Sequence, residues 1–154
     1  MSTIHEIEFR LASYFDFRRN IIVPNIHWGM HIHECDLFVV SNSGYVTEVE
    51  IKTSKYDLIN DKKKKHGHKS KLIKKLYFAI PEALIDCIEH IPERAGVILY
   101  ADKQTYNRGF KKGLMIIRQP IANTECRKLT EKEIKKVLWL GVMRVWNLKK
   151  RLGE

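Results

Sequence analysis

Apolar positions in the first third of the chain follow a helical period and then an extended one. Residues 3–17 place apolar side chains three or four positions apart, which predicts an amphipathic helix. Residues 36–40 and 45–52 are short extended segments on either side of the turn-forming cluster 41–44. The pattern therefore predicts a helix followed by a β-hairpin.

The next part of the chain alternates strands and helices. Apolar strands are predicted at 76–80 and 95–101, with an amphipathic helix at 82–90 between them and a further strand at 113–118. A strand-helix-strand order implies that the two strands pair in parallel through a right-handed crossover. The chain is therefore expected to form one α/β domain.

A last helix is predicted to begin after Thr130, which forms a capping box with Glu133. Its apolar stripe leaves two alternatives. Either the stripe packs on the same domain, or the length of the helix and the exposed-looking Trp139 serve a partner helix or a homodimer. The stripe consists of Ile134, Val137, Leu138, Val142, Val145 and Trp146.

The register of the predicted hairpin decides which side chains meet. A three-residue loop that ends on a left-handed Gly44 pairs Phe38 with Glu48. The same register pairs Asp36 with Glu50, which brings their Cβ atoms to roughly 5 Å on one face of the sheet. A loop of two or four residues would separate these acids. Like charges this close destabilise a sheet unless a cation joins them.

Two carboxylates beside an open position suit Mg²⁺ or Mn²⁺, which prefer oxygen ligands and keep several waters. Such an ion polarises a phosphoryl oxygen and lowers the pKa of a bound water. Lys52 lies on the same strand face as Glu50 and is expected to orient that water or offset developing negative charge. These residues predict hydrolysis of phosphodiester bonds.

Asp36 on one strand and Glu50-Ile51-Lys52 on the next resemble the metal site of the PD-(D/E)XK nuclease superfamily. The resemblance implies Asp36 and Glu50 as ligands of Mg²⁺ or Mn²⁺. It also implies a restriction-endonuclease-like core over about 3–102, with a central mixed β-sheet flanked by helices in the order α-β-β-β-α-β. The strand and extra C-terminal helix at about 113–150 complete a single domain, 1–154.

The acid-x-Lys strand, the lysine-rich segment after it and the aromatic strand ending at Ala79-Ile80-Pro81 also resemble the small MmcB-type branch, which is associated with DNA repair. This resemblance implies a Mg²⁺-dependent DNA nuclease acting in repair or recombination, with endonuclease activity favoured over exonuclease activity. The alternative is a non-catalytic nucleic-acid-binding module with a nuclease-like fold.

Glu8 falls within the apolar stripe of the first predicted helix. A carboxylate that faces a sheet is costly to bury without a partner, and the superfamily usually adds a glutamate from this helix. Glu8 is therefore predicted to be a third ligand of the ion or to assist the attacking water. The alternative is a Glu8 at the edge of the stripe that reaches solvent or pairs with an arginine.

Positive charge is concentrated directly after the acidic strand. The formal net charge of the chain is +10, and residues 52–75 contain ten lysines against two acids, hence +8. Such a segment attracts a phosphate backbone, so nucleic acid is the expected partner, with DNA favoured over RNA. A looser basic cluster follows at 103–112, and a merely solvated surface is the alternative for both. The expected contacts are Lys55, Lys62, Lys63, Lys64, Lys65, His66, His68, Lys69 and Lys71.

His31, His33 and Cys35 form a rival metal set, because imidazole and thiolate are zinc ligands. If this segment is extended, the three side chains span roughly 13 Å, too far for one ion without a bend. Alternation also points them away from Asp36, and no fourth ligand is evident. The favoured interpretation is that the histidines line the approach to the hairpin or pack with Trp28.

The three cysteines are widely spaced and odd in number. No signal peptide or long apolar segment is recognisable. A reducing, cytoplasmic setting without a membrane partner is expected.

Overall fold

The computed structural model describes residues 2–26, 29–101 and 113–154. Trp28 and the basic cluster at 103–112 lie outside the described residues. The helices and strands of the described residues are α1 (Ile4–Tyr14), β1 (Ile21–Ile26), β2 (Cys35–Val40), β3 (Val46–Ile51), α2 (Lys55–Asp61), β4 (Ile73–Pro81), a 3₁₀ helix (Glu82–His90), β5 (Gly96–Tyr100), β6 (Leu114–Arg118) and α3 (Glu131–Gly153).

The six strands form one mixed sheet in the order β1-β2-β3-β4-β5-β6. The first three strands are antiparallel neighbours, β3, β4 and β5 run parallel, and β6 is antiparallel to β5. The parallel pairing of β4 with β5 confirms the prediction made from the strand-helix-strand order. The protein therefore has an α/β fold with a mixed sheet.

Local capping explains where the helices begin. The hydroxyl of Thr3 accepts a hydrogen bond from the N–H of Glu6, and that of Ser54 accepts from the N–H of Asp57. The capping box predicted at Thr130 is present, because its hydroxyl accepts from the Glu133 N–H while the Glu133 carboxylate accepts from the Thr130 N–H.

The amphipathic helix predicted at 82–90 is a 3₁₀ helix. It lies between Pro81 and Pro92, and three of its apolar side chains, Leu84, Cys87 and Ile88, pack towards the core as predicted. The inward pattern was therefore readable from the sequence, whereas the tighter helical type was not.

Each face of the sheet is covered by helices. On one face, Ile7 and Leu11 of α1 pack on Leu37, Val39 and Val49. The other face carries two apolar clusters, one beneath α3 and one beneath α2 and the 3₁₀ helix. On this second face β3 presents Glu48 and Glu50, which are buried between the two clusters. The buried acids therefore lie on the face opposite α1.

Helix α3 packs on β1 through its first turns. Gly141 permits the close approach, since a Cβ atom there would lie 3.2 Å from Cγ2 of Val23. Val137 and Leu140 are buried. The prediction that the stripe packs on this domain is correct for Val137 and wrong for Leu138, Val142, Val145 and Trp146, which are exposed. Arg144, in the later part of the helix, still donates a hydrogen bond to the carbonyl of Asn25 in β1. A homodimer stays a prediction.

None of the helices in the described parts of the chain combines the length and the apolar character needed to cross a membrane.

Candidate functional site

The hairpin between β2 and β3 has the predicted three-residue loop. Gly44 has a φ of 85°, and the N–H of Ser41 donates to the carbonyl of Tyr45 at 2.9 Å. Phe38 lies opposite Glu48, as the register required. The left-handed glycine sets this register because other residues rarely adopt that conformation.

Asp36 lies one step beyond the end of the β2-β3 ladder, whose last pair is Leu37 with Val49. Its Oδ2 accepts a hydrogen bond from the N–H of Ile51 at 2.7 Å, which holds the carboxylate against the end of β3. Asp36 and Glu50 then line the same cleft, which has a volume of about 330 Å³. The structure therefore brings the two predicted ligands to one cleft.

The two acids disfavour each other's charge. Burial and the nearby charge of Asp36 raise the pKa of Glu50 to about 7. Burial likewise raises the pKa of Asp36 above its usual range. Oε1 of Glu50 is buried and accepts no hydrogen bond from the residues that the structure describes. Nδ1 of His68 lies 4.0 Å from that oxygen, beyond hydrogen-bonding distance. A divalent ion would relieve the repulsion and bond to that oxygen, so the residues fit Mg²⁺ or Mn²⁺.

Lys52 is buried beside this pair. Its Nζ lies 3.0 Å from Oε2 of Glu50 and 2.8 Å from Oδ1 of Asp61. Burial alone would lower the pKa of the ammonium group, but Glu50 and Asp61 raise it above the usual value. Lys52 is therefore charged at neutral pH and fixed at the wall of the cleft, as a group that offsets negative charge would need to be.

Glu8 is not brought to the acid pair. It lies on α1, partly buried, and its Oε2 is 3.3 Å from Nδ1 of His5. The lining of the cleft, as the described residues define it, does not include Glu8. Helix α1 covers the opposite face of the sheet from Glu50, and the role of Glu8 as an auxiliary acid stays a prediction.

A buried network of histidines and carboxylates adjoins the cleft. Glu48 is fully buried, and both of its oxygens lie 2.8 Å from Nε2 of His33. Nδ1 of His68 lies 2.7 Å from Oε1 of Glu48, and its Nε2 lies 2.6 Å from Oδ2 of Asp61. Because Lys52 also contacts Asp61, the network is continuous with the acidic cleft.

The pKa values of the network reflect these contacts. Burial would lower the pKa of His68, but the hydrogen bonds with Asp61 and Glu48 raise it to about 9. Burial would raise the pKa of Glu48, but His33 and His68 hold it well below its usual value. His68 is therefore an imidazolium held between two carboxylates at neutral pH.

His68 lies in the turn over residues 65–68, as the loop prediction required, but its side chain is not placed on the surface to touch phosphate. Its side chain is 1% exposed and contacts Glu48 of β3, and its backbone has a left-handed φ of 55°. His66 stacks on His33 with ring centroids 4.3 Å apart. Neither histidine is a freely solvated member of the basic segment.

The segment before β2 is bent, and the prediction that it is extended is wrong. Residues 29–34 contain bends and no strand, and both Gly29 and His31 have positive φ. The bend leaves His31 exposed and brings His33 to Glu48. Cys35 joins the apolar cluster that holds Phe38, which strict alternation along β2 would forbid. Sequence reasoning missed this arrangement because it assumed regular alternation here.

The predicted nucleic-acid contacts on lysine are all exposed: Lys55, Lys62, Lys63, Lys64, Lys65, Lys69 and Lys71. Lys64 lines the acidic cleft. Lys69, Lys71, Lys74 and Arg94 line a larger cavity of about 590 Å³ that His68 also borders. Basic side chains therefore lie on both sides of the His68-Asp61 pair.

No family model matches this chain, and no curated protein matches it. A similar solved structure is the SPO1766 protein of unknown function from Silicibacter pomeroyi, with a TM-score of 0.61. The two chains are 16% identical, and the alignment covers 95% of this chain and 88% of SPO1766. At this identity the likeness shows a shared fold alone.

The free energy of unfolding is expected to fall as the pH rises from about 6.5 to about 9 in metal-free buffer. The folded pKa of His68, about 9, lies above its unfolded value of about 6.5. Its contribution is therefore complete below pH 6.5 and is lost as the pH rises through 9. The loss has an upper limit on the order of 3 kcal/mol. Urea unfolding at pH 6 and pH 9.5, with EDTA present, measures it.

The His68→Gln protein should be less stable than wild type at pH 6, and its free energy of unfolding should change much less between pH 6 and pH 9.5. His90→Gln changes a partly exposed histidine outside the network and should keep the wild-type pH dependence. Glu50 should further lower the free energy of unfolding as the pH rises from about 4.5 to 7, because its pKa is also raised in the folded protein. Equal stability of the wild-type protein at pH 6 and pH 9.5 would contradict the charged state assigned to His68.

Proposed function

We propose that this protein is a Mg²⁺-dependent nuclease that hydrolyses phosphodiester bonds in DNA. The observation that carries the proposal is the cleft shared by Asp36, Glu50 and Lys52. In it two carboxylates repel each other, one buried oxygen lacks a hydrogen bond, and a fixed ammonium group lies 3.0 Å from Glu50. An oxygen-preferring divalent ion suits this combination.

The proposed roles follow from the contacts. Asp36 and Glu50 hold the ion, which when bound supplies Lewis-acid activation of the phosphodiester. Lys52 orients the attacking water or offsets negative charge in the transition state. Ile51 positions Asp36 through its N–H, and Asp61 positions Lys52 through an ion pair. Glu8 is not needed for this set of roles.

The proposal extends to the fold and the pathway. The element order α1-β1-β2-β3-α2-β4 is the order α-β-β-β-α-β that a restriction-endonuclease-like core implies. The acidic cleft lies where β3 ends and α2 follows, near the carboxyl ends of parallel strands, where α/β proteins commonly bind ligands. Action in DNA repair or recombination follows only from the MmcB-type resemblance.

The proposed substrate surface is the basic segment beside the cleft. Lys64 lines the cleft itself, and Lys69, Lys71 and Arg94 line the adjoining cavity. A phosphate backbone that crosses these side chains would release counterions and be held near the acids. DNA is proposed over RNA, and an internal cut is proposed over cleavage from an end.

The experiment is incubation of the wild-type protein with supercoiled plasmid and with single-stranded DNA in Mg²⁺, Mn²⁺, Ca²⁺ or EDTA. Cleavage is expected with Mg²⁺ and Mn²⁺ and not with EDTA, and Ca²⁺ is expected to support binding without hydrolysis. Cleavage that persists in EDTA would contradict the proposal. Binding without cleavage in every metal would favour the non-catalytic nucleic-acid-binding module.

A further inference from the structure

A second group of metal-ligating side chains lies beside the acidic cleft. His33, Cys35 and Glu48 can each place one donor atom within 4.8 Å of the others, as can His33, His66 and His68, and as can Glu48, Glu50 and His68. The last trio shares Glu50 with the acidic cleft. A tetrahedral ion with bonds of about 2.0 to 2.3 Å separates its donors by about 3.3 to 3.8 Å. The trio with Cys35 and the trios with His68 share His33 or Glu48, so rearrangement of the side chains would bring four of these donors around one ion.

The donor atoms of this group differ from those of the acidic cleft. Imidazole nitrogen, thiolate sulfur and carboxylate oxygen together are the ligands of Zn²⁺. Mg²⁺ and Mn²⁺ favour oxygen ligands, as the pair Asp36 and Glu50 offers. The two neighbouring groups are thus suited to different ions.

The orientation of His68 matches that of a metal ligand. Its Nε2 is 2.6 Å from Oδ2 of Asp61, and its Nδ1 points at Glu48, 2.7 Å away. Histidines that bind metal usually give their second nitrogen to a carboxylate, which fixes the ring. His33 approaches the same carboxylate, with Nε2 2.8 Å from Glu48. Three donor groups therefore converge, and Asp61 orients one of them.

Cys35 suits the fourth position better than His66. Nδ1 of His66 accepts a hydrogen bond from the backbone N–H of His68 at 2.9 Å. In a neutral imidazole with that bond, the other nitrogen carries the proton and has no free lone pair. Cys35 is a free, buried cysteine that groups with both His33 and Glu48. His66 instead covers the site by stacking on His33.

We propose that His33, Cys35, Glu48 and His68 form a zinc site that is separate from the acidic cleft. Binding displaces the Nδ1 proton of the His68 imidazolium and the thiol proton of Cys35 to solvent. The site would connect three parts of the chain: the bent segment before β2, strand β3 and the basic segment. Among the described residues, the contacts of His33 and His68 with Glu48 that connect these parts are side-chain contacts. Zinc would thereby fix the wall of the acidic cleft.

The test begins with the full-length wild-type protein, purified, stripped with a chelator and dialysed against buffered Zn²⁺. Metal analysis is expected to find about one zinc per chain, and removal of the zinc should lower the melting temperature. His33→Gln and Cys35→Ala should each weaken zinc binding by at least about 100-fold. Less than about 0.1 zinc per wild-type chain, or unchanged affinity in both variants, would overturn the proposal.

Three controls separate this site from the proposed nuclease centre and from surface binding. His31→Gln and Cys126→Ser change an exposed histidine and a cysteine outside the group, and both should keep the zinc. Asp36→Asn should keep the zinc while losing cleavage. Loss of the zinc in Asp36→Asn would place the ion in the acidic cleft and overturn the proposal.

Co²⁺ binding to the wild-type protein tests the site without any variant, so the result does not depend on whether a variant folds. Tetrahedral Co²⁺ with a thiolate ligand shows visible bands and a thiolate-to-cobalt absorption in the near ultraviolet. Both are expected here. Visible bands without the thiolate absorption would exclude Cys35 and overturn the four-ligand set, and the absence of both would overturn the site.

Discussion

Asp36→Asn is expected to lower the rate of Mg²⁺-dependent DNA cleavage by at least about 100-fold. The asparagine keeps the size of the side chain, and its amide oxygen can still accept the hydrogen bond from the Ile51 N–H. What is lost is one of the two negative charges that we propose hold the ion. Initial rates of plasmid nicking at saturating DNA, with Mg²⁺ varied, measure the effect.

The fold of Asp36→Asn should survive, and without metal at pH 8 it should be at least as stable as the wild-type protein. The reason is that Asp36 raises the pKa of Glu50, so its removal lowers the cost of charging Glu50. Glu93→Gln, a matched change at an exposed acid, should cleave at the wild-type rate. A rate for Asp36→Asn within threefold of wild type, beside a normal Glu93→Gln, would remove Asp36 from the centre.

Lys52→Gln is expected to lower cleavage by about 100- to 1,000-fold while ion binding persists. The amide keeps a hydrogen-bond donor, one bond shorter than the lysine, but the positive charge that we propose offsets the transition state is gone. The rate should fall at saturating Mg²⁺, with little change in the Mg²⁺ concentration that gives half of the maximal rate. Single-turnover cleavage across a Mg²⁺ series separates these two quantities.

The matched control for Lys52→Gln is Lys55→Gln, which changes an exposed lysine at the start of α2. It should leave the single-turnover rate unchanged, and it should weaken DNA binding only slightly. Circular dichroism and urea unfolding report whether Lys52→Gln is folded. A folded Lys52→Gln that cleaves at the wild-type rate would refute the role given to Lys52.

The hairpin was predictable because its determinants are local. Gly44 sets the loop length, and alternation along β3 assigns Val49 and Glu50 to opposite faces, as the structure has them. The start of the last helix at Thr130 was readable for the same reason, since it depends on Glu133, only three positions away. Short-range sequence patterns were therefore sufficient to predict these elements of the fold.

The histidine network was not predictable because its partners are distant and joined by irregular backbone. Glu48 lies 15 residues from His33 and 20 from His68. Left-handed residues at His31 and His68 redirect the chain, and no periodic pattern marks such bends. A buried charge at Glu48 was the available signal, because a carboxylate inside a sheet needs partners.

The burial of Asp61 was also missed in the sequence. In the sequence it counts as one of two acids in a strongly basic segment, which favours a solvated surface. In the structure α2 turns it inward beside Leu58, where it pairs with Lys52 and His68. Its spacing of three residues from Leu58 places the two on one helical face, and that was the readable sign of burial.

Anomalous X-ray scattering from crystals soaked in Mn²⁺ at pH 8 would show whether Asp36 and Glu50 share one divalent ion, as we claim. We expect a manganese peak bonded to a carboxylate oxygen of each residue, including Oε1 of Glu50, at about 2.0 to 2.4 Å. Crystals of Asp36→Asn treated in the same way should lack it. Full soaking with no peak there, or a peak that persists in Asp36→Asn, would contradict the claim.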